Sequence, residues 1–173
     1  MKHERLELKN YFSFLGEEGR NPTLDIYLPY NMVEMKREKQ KRPCMLVCPG
    51  GGYGMCSERE SEPIALHFLP EGFNVFVLTY SVAPNRFPTQ IREVAAAVEL
   101  IYKNADEWNC DTEKIAIMGF SAGGHLAAHY STMFDCKEVR EVFPESKSVN
   151  ASVLCYQTLL NNVLQGDHLQ KNP

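Results

Sequence analysis

The chain has 173 residues, of which 44% are hydrophobic and 23% charged, a composition typical of one globular domain with a sizeable core. A formal net charge of -4 argues against general attraction to nucleic acids or to anionic membranes. The basic run at residues 36–42 is interrupted by Glu38 and lies between two strand-like segments, so we interpret it as a solvated loop.

The N-terminal segment and the cysteines indicate a cellular location. The charged segment Met1–Arg5 is not followed by an apolar stretch, and no apolar run in the sequence has the length of a membrane span. The six cysteines contain no CxxC unit and lack the density of a small secreted scaffold. We therefore expect a cytoplasmic protein with reduced thiols and no membrane partner.

Apolar segments and helical patterns alternate along most of the chain. Most of the apolar segments are continuous runs, which are typical of strands buried on both faces of a sheet. Because helices separate the later strands, the pattern predicts an α/β fold with a mainly parallel sheet flanked by helices. The predicted strands are Arg5–Leu8, Leu24–Leu28, Cys44–Cys48, Asn74–Thr79, Lys114–Met118 and Ala151–Tyr156, and the predicted helices are Glu60–Leu69, Thr89–Asn104 and Ala122–Met133.

The strongest chemical signal is a Gly-Phe-Ser-Ala-Gly sequence at residues 119–123, between a predicted strand and a predicted helix. A serine in such a tight turn adopts strained backbone angles, and glycines on both sides of it avoid steric clashes. This context is that of a nucleophile elbow, in which the Ser121 hydroxyl stands at the N-terminus of the following helix. We predict that Ser121 is the nucleophile of an acyl-transfer reaction.

A second glycine-rich segment, the glycine loop at residues 49–54, follows the strand Cys44–Cys48. Backbone N–H donors must approach the oxyanion of an acyl-transfer intermediate closely, and glycines permit that approach. We predict that Gly51 and Gly52 supply such donors together with Ala122, the residue after the nucleophile. A phosphate-binding loop is the competing interpretation, but no Lys-Ser/Thr pair follows the glycines.

Three motifs together carry a family resemblance. The segments 49–53, 79–88 and 118–126 resemble the esterase/lipase branch of the α/β-hydrolases, and most of all acetyl-xylan-esterase-like "sugar hydrolase" carboxylesterases. The resemblance extends from about residue 20 to residue 156. It implies an α/β-hydrolase fold and hydrolysis of short acyl esters, acetylated sugars among them, without a cofactor. Pro49 occupies the position at which lipase relatives have a histidine.

The predicted nucleophile lacks recognisable partners in this sequence. The resemblance implies a triad acid and a histidine on loops beyond the strand Ala151–Tyr156, whereas residues 157–173 form an atypical tail. We therefore expect a C-terminally shortened, single and incomplete domain over 1–173, lacking the last strands of the fold. Loss of the base costs on the order of a millionfold in turnover, which predicts a poor enzyme. A catalytically inactive binding or interaction module is the alternative, and a peptidase or amidase remains open.

The histidines do not replace that base in an obvious way. His3 and His67 are expected to be structural or solvated, and Asp167 and His168 are adjacent, so they cannot stand in line behind one serine. His125 and His129 have the i, i+4 spacing of metal ligands, but no third ligand is evident, so packing or surface roles are favoured over a metal.

The position of the last predicted strand at the edge of the sheet leads to an expectation about assembly. In the family the strand order is 1-2-4-3-5-6-7-8, so Ala151–Tyr156 would normally be covered by a seventh strand. Without that neighbour, an apolar and uncharged edge is a template for pairing. We expect a homodimer through this edge, a covering tail formed by residues 157–173, or poor solubility.

Overall fold

The computed structural model describes residues 1–19 and 21–156. The described part contains six strands and four α-helices, joined by short 3₁₀ turns. The strands are β1 Lys2–Glu7, β2 Thr23–Leu28, β3 Arg42–Cys48, β4 Asn74–Thr79, β5 Cys110–Phe120 and β6 Ala151–Cys155, and the helices are α1 Glu62–Phe68, α2 Thr89–Lys103, α3 Ala122–Met133 and α4 Lys137–Arg140.

The six strands form one sheet in the order β1-β2-β4-β3-β5-β6. The pairings β3 with β4, β3 with β5 and β5 with β6 are parallel, whereas β1 and β2 join the sheet in antiparallel fashion. The predicted α/β class with a mainly parallel sheet is therefore confirmed. Because β3 and β5 are adjacent and parallel, the glycine loop and Ser121, which follow them, lie at the same edge of the sheet.

Helices cover both faces of the sheet. Alternate residues of a strand point to opposite faces, so Leu46 packs on the side of α2 and α3 while Val47 packs on the side of α1. Helix α2 buries one apolar face that includes Ile91, Val94 and Ile101. Burial on both faces explains why the central strands are continuous apolar runs.

Three predicted elements differ most from the observed ones. Strand β5 begins at Cys110 rather than Lys114, because Cys110 pairs with Arg42 of β3 and the polar residues 111–114 lie where the register between the two strands shifts. Strand β1 is shifted to Lys2–Glu7, where its exposed, charged residues pair only with β2 among the described strands. The predicted helix Glu60–Leu69 is a 3₁₀ turn at Glu58–Glu60 followed by α1.

The structure also bears on the expectations for the cysteines, the membrane span and the basic run. The structure pairs none of the six cysteines in a disulfide. No helix within the described residues has both the length and the apolar character needed to cross a bilayer. Residues 36–41 of the basic run are exposed, as expected for a solvated loop. The tail predicted for residues 157–173 lies outside the described residues.

The central position of β3 generates a prediction about stability. Leu46 is fully buried between α2, α3 and neighbouring strands, so Leu46→Ala should lower the free energy of unfolding by about 2–5 kcal/mol through loss of packing and cavity formation. Leu66, which is 48% exposed on α1, is the matched control, and Leu66→Ala should change the value by less than about 0.5 kcal/mol. Urea unfolding measures both, and equal effects would contradict the assigned core.

Candidate active site

The turn between β5 and α3 carries Ser121. Its backbone has φ 49° and ψ −116°, a positive φ that non-glycine residues rarely adopt. A Cβ on Gly119 would lie 2.1 Å from the carbonyl oxygen of Gly123, and a Cβ on Gly123 would lie 2.0 Å from that of Cys48. Both positions therefore require glycine, which is the physical reason for the Gly-x-Ser-x-Gly pattern.

Backbone hydrogen bonds hold Ser121 between a strand and a helix. Its N–H donates to the carbonyl oxygen of Cys155 at 3.0 Å, and its own carbonyl accepts the N–H of His125 at 3.0 Å. Ala122, the first residue of α3, is buried. The side chain of Ser121 thus projects from the N-terminal end of α3, where helix N–H groups lack partners within the helix and favour negative charge.

The glycine loop follows β3 and folds back on itself. The N–H of Ser57 donates to the carbonyl oxygen of Gly50 at 2.9 Å, and the N–H of Gly54 donates to that of Gly51 at 3.0 Å. Gly51 has φ +133° and Gly52 has φ +62°. Apart from Gly52 and its two neighbours in the chain, no atom of the described residues lies within 4 Å of the point where a Cβ of Gly52 would stand, so this part of the loop borders open space.

The loop and the serine are in direct proximity. A Cβ on Gly50 would lie 2.7 Å from the carbonyl oxygen of Phe120 and 3.2 Å from the Cβ of Ser121. The structure therefore brings together the two segments that contain the predicted site residues Ser121, Gly51, Gly52 and Ala122. The catalytic roles of these four residues stay predictions.

Two tyrosine hydroxyls attach the loop to its surroundings. The buried hydroxyl of Tyr80 donates to the carbonyl oxygen of Pro49 at 2.6 Å, and the hydroxyl of Tyr53 lies 2.8 Å from Nδ1 of His125 on α3. Burial raises the pKa of both tyrosines and lowers the pKa of His125. All three groups are therefore neutral near pH 7, so the loop and the helix are joined by a hydrogen bond between uncharged groups.

An open groove of about 740 Å³ is lined mainly by residues 79–89, from the end of β4 to the start of α2. It adjoins the glycine loop, because the N–H of Ala83 donates to the carbonyl oxygen of Tyr53. The half-exposed ring of Phe87 in this groove stacks on His129, which is in turn 5.8 Å from the ring of His125. In the lining of the groove, Ser81 donates both its hydroxyl and its N–H to the buried carboxylate of Glu93. The segment 79–88 that carries part of the resemblance is thus held by α2.

The histidines have structural contacts that sequence reasoning did not specify. His3 contacts Asp25, His67 packs on Phe68, and His125 and His129 have half-buried positions on α3. Within the residues that the structure describes, no group of three His, Cys, Asp or Glu side chains is arranged to hold a metal ion. Asp167 and His168 lie outside the described residues.

Sequence reasoning missed Glu60, which it placed in a helix on the sheet. The Gly50 N–H donates to Oε2 of Glu60 at 2.7 Å, and the Tyr156 hydroxyl donates to Oε1 of the same carboxylate. A carboxylate beside the glycine loop has no signal in the pattern of apolar residues, because the contact depends on how the segment 56–60 folds back over the loop.

A known protein family matches most of this chain. The BD-FAE family model matches residues 24–162, which is most of the chain. The chain belongs to the BD-FAE family. The matched range includes the glycine loop, the segment 79–88 and the elbow.

Relatives of this BD-FAE chain include enzymes named for xylan. The chain is 37% identical over 153 residues to endo-1,4-beta-xylanase B of Butyrivibrio fibrisolvens, covering 85% of this chain and 22% of that protein. It is 35% identical over 86 residues to an acetylxylan esterase of Xylanibacter ruminicola, covering 49% of this chain and 18% of that protein. The chain thus spans only about a fifth of each of these relatives.

Solved structures share the fold. An α/β-hydrolase from a deep-sea metagenome library has 37% identity and a TM-score of 0.75, over 92% of this chain and 58% of that one. An acetyl ester-xyloside bifunctional hydrolase from Caldicellulosiruptor lactoaceticus has 30% identity and a TM-score of 0.75, over 89% of this chain and 57% of that one. The α/β-hydrolase fold implied by the resemblance is confirmed.

The packing of α3 on β3 generates a prediction. Gly123→Ala would place a methyl group 2.0 Å from the carbonyl oxygen of Cys48 and 2.4 Å from that of Pro49, so the helix or the loop must move. We expect this overpacking to lower the free energy of unfolding by about 1–3 kcal/mol in urea titrations. Gly54→Ala is the control, because its nearest atom would be 3.7 Å away; an equal loss there would contradict the assigned close packing.

Proposed function

We propose that this BD-FAE chain hydrolyses short acyl esters, with acetylated sugars as the substrate class, through attack by Ser121. The observation that carries the proposal is the strained Ser121 turn held directly against the glycine loop. A serine hydroxyl at a helix N-terminus beside closely approachable backbone amides is suited to acyl transfer. The names of the xylan-related relatives support the choice of acetylated sugars.

The chemistry follows from these positions. Ser121 Oγ bonds to the ester carbonyl carbon, and the electron pair of the carbonyl moves to its oxygen, which accepts hydrogen bonds from Gly51, Gly52 and Ala122. Collapse of this intermediate expels the alcohol, and water then cleaves the acyl-serine ester by the same route. One such donor is worth about 10²–10³-fold in kcat in a known serine hydrolase.

Proton transfer requires a general base. The base takes the Ser121 proton and returns it to the departing alkoxide, and it later takes a proton from the attacking water. The resemblance implies a histidine oriented by an acid for this role, and the expectation that this chain lacks both stays a prediction. Every proposed step uses side chains, backbone amides and water, without a cofactor.

Substitution of Ser121 tests the proposal. The chain should hydrolyse p-nitrophenyl acetate and release acetate from acetylated xylo-oligosaccharides at a rate well below that of a complete triad, and Ser121→Ala should lower this turnover to background because the nucleophile is removed. Ser131→Ala is the control: this serine lies on the same helix, with its hydroxyl bonded to the Ala127 carbonyl and close to Ser152, and its loss should leave kcat unchanged.

Two results would contradict this function. Turnover that persists in Ser121→Ala would exclude Ser121 as the nucleophile. Wild-type chain with no turnover above that variant would favour the alternative, a non-catalytic hydrolase scaffold that keeps the pocket as a binding or interaction module.

The location of the chain is also a proposal. We propose that it works in the cytoplasm, where thiols stay reduced. Cys44, Cys48 and Cys110 are buried in the sheet as free thiols, and Cys56, Cys136 and Cys155 are partly buried and free. These cysteines contribute packing rather than cross-links.

We further propose that β6 pairs with a second copy of the chain. Within the described residues β6 pairs only with β5, and its side chains are largely exposed, including Val153 at 37% and Leu154 at 40%. Leu154→Lys should therefore reduce the dimer fraction in size-exclusion chromatography, because a charged lysine opposes edge pairing. Leu66→Lys, at an exposed leucine on α1, is the control. A wild-type monomer whose 151–156 amides exchange freely would contradict the pairing.

A further inference from the structure

The Glu60 carboxylate joins two segments that flank Ser121. Oε2 accepts the N–H of Gly50 at 2.7 Å, and Oε1 accepts the hydroxyl of Tyr156. Gly50 is the first glycine of the loop, and Tyr156 directly follows Cys155, whose carbonyl accepts the Ser121 N–H. One side chain therefore connects the glycine loop to the end of β6 across the elbow.

This carboxylate lies close to the nucleophile. A Cβ on Gly50 would be 2.8 Å from Oε2 of Glu60 and 3.2 Å from the Cβ of Ser121. The Glu60 carboxylate and the Ser121 side chain are therefore both neighbours of Gly50. A negative charge at this place opposes the formation of an oxyanion on a bound ester. Its position is therefore explained by its contacts with the loop and not by direct stabilisation of the intermediate.

We propose that Glu60 is a positioning residue for the oxyanion donors. By accepting the N–H of Gly50 it fixes the plane of the first peptide of the loop, so that the following amides of Gly51 and Gly52 face the substrate. The inference rests on the proposed ester hydrolysis and deepens it. Glu60 would act through the loop, without contacting the substrate.

The other contacts of the loop support this role. The Tyr80 hydroxyl holds the carbonyl of Pro49 and the N–H of Ser57 holds that of Gly50, so Glu60 completes the set of partners that orient the start of the loop. Tyr156 in turn orients Glu60. The hydrogen bond to Glu60 raises the pKa of Tyr156, which keeps this hydroxyl protonated and able to donate.

The test compares three variants with the full chain. Glu60→Ala should lower kcat for p-nitrophenyl acetate on the order of 10²-fold, the cost of a small misplacement of catalytic groups, with KM changed less than about twofold. Glu60→Gln keeps a carbonyl acceptor for Gly50 and should recover kcat to within about tenfold of the wild-type value. Glu58→Ala, at an exposed residue of the same turn, should be indistinguishable from the wild type.

A second measurement detects the contact itself. In ¹H–¹⁵N spectra, the amide proton of Gly50 should shift upfield in Glu60→Ala and stay in place in Glu58→Ala, because a carboxylate acceptor deshields the proton. An unshifted Gly50 resonance, or wild-type kcat in Glu60→Ala, would overturn the inference. A raised KM with full kcat would also overturn it, because it would assign Glu60 to substrate binding.

The outcomes separate the two proposals. Full activity in Glu60→Ala together with loss of activity in Ser121→Ala removes the positioning role and leaves ester hydrolysis standing. Absence of turnover in the wild-type chain removes ester hydrolysis, and the positioning role with it.

Discussion

The close approach of α3 to the end of β3 is the constraint on which the site depends. Gly123 lies so near the carbonyl groups of Cys48 and Pro49 that no side chain fits, and Gly119 is equally restricted by Gly123. The helix can therefore begin directly at the strand edge, with Ser121 forced into a positive φ. Strain of about 1–3 kcal/mol at such a residue persists only where the surrounding packing fixes it.

The surroundings of Ser121 supply that packing from several sides. The Cys155 carbonyl on β6 holds its N–H, while Tyr53 links the glycine loop to His125 on the same helix that Ser121 precedes. The sheet contributes rigidity because β3 and β5 are central strands with buried side chains on both faces. The site is thus built on rigid elements, with polar contacts completing it where the strands end.

Apolar periodicity and glycine spacing predict most of this arrangement. The continuous runs in β3 and β4 could be placed because both faces are buried, and the elbow could be placed because only glycine satisfies its geometry. The start of β5 was missed because residues 111–114 are polar and lie at a register shift between the pair Arg42–Cys110 and the pair Cys44–Ile115. Glu60 was missed because a side-chain contact with a loop amide does not show in the pattern of apolar residues. The expected absence of a general base stays a prediction.

The strand order has a consequence for how the chain folds. Strand β3 inserts between β4 and β5, so the glycine loop meets Ser121 only after segments distant in sequence have paired. Closing such long loops costs entropy before the contacts repay it, which slows folding and exposes strand edges while intermediates persist. During synthesis the loop emerges from the ribosome well before the elbow that completes it. The site therefore forms only when the central strands are paired. A ligand that binds there stabilises the folded state relative to unfolded and partly folded states.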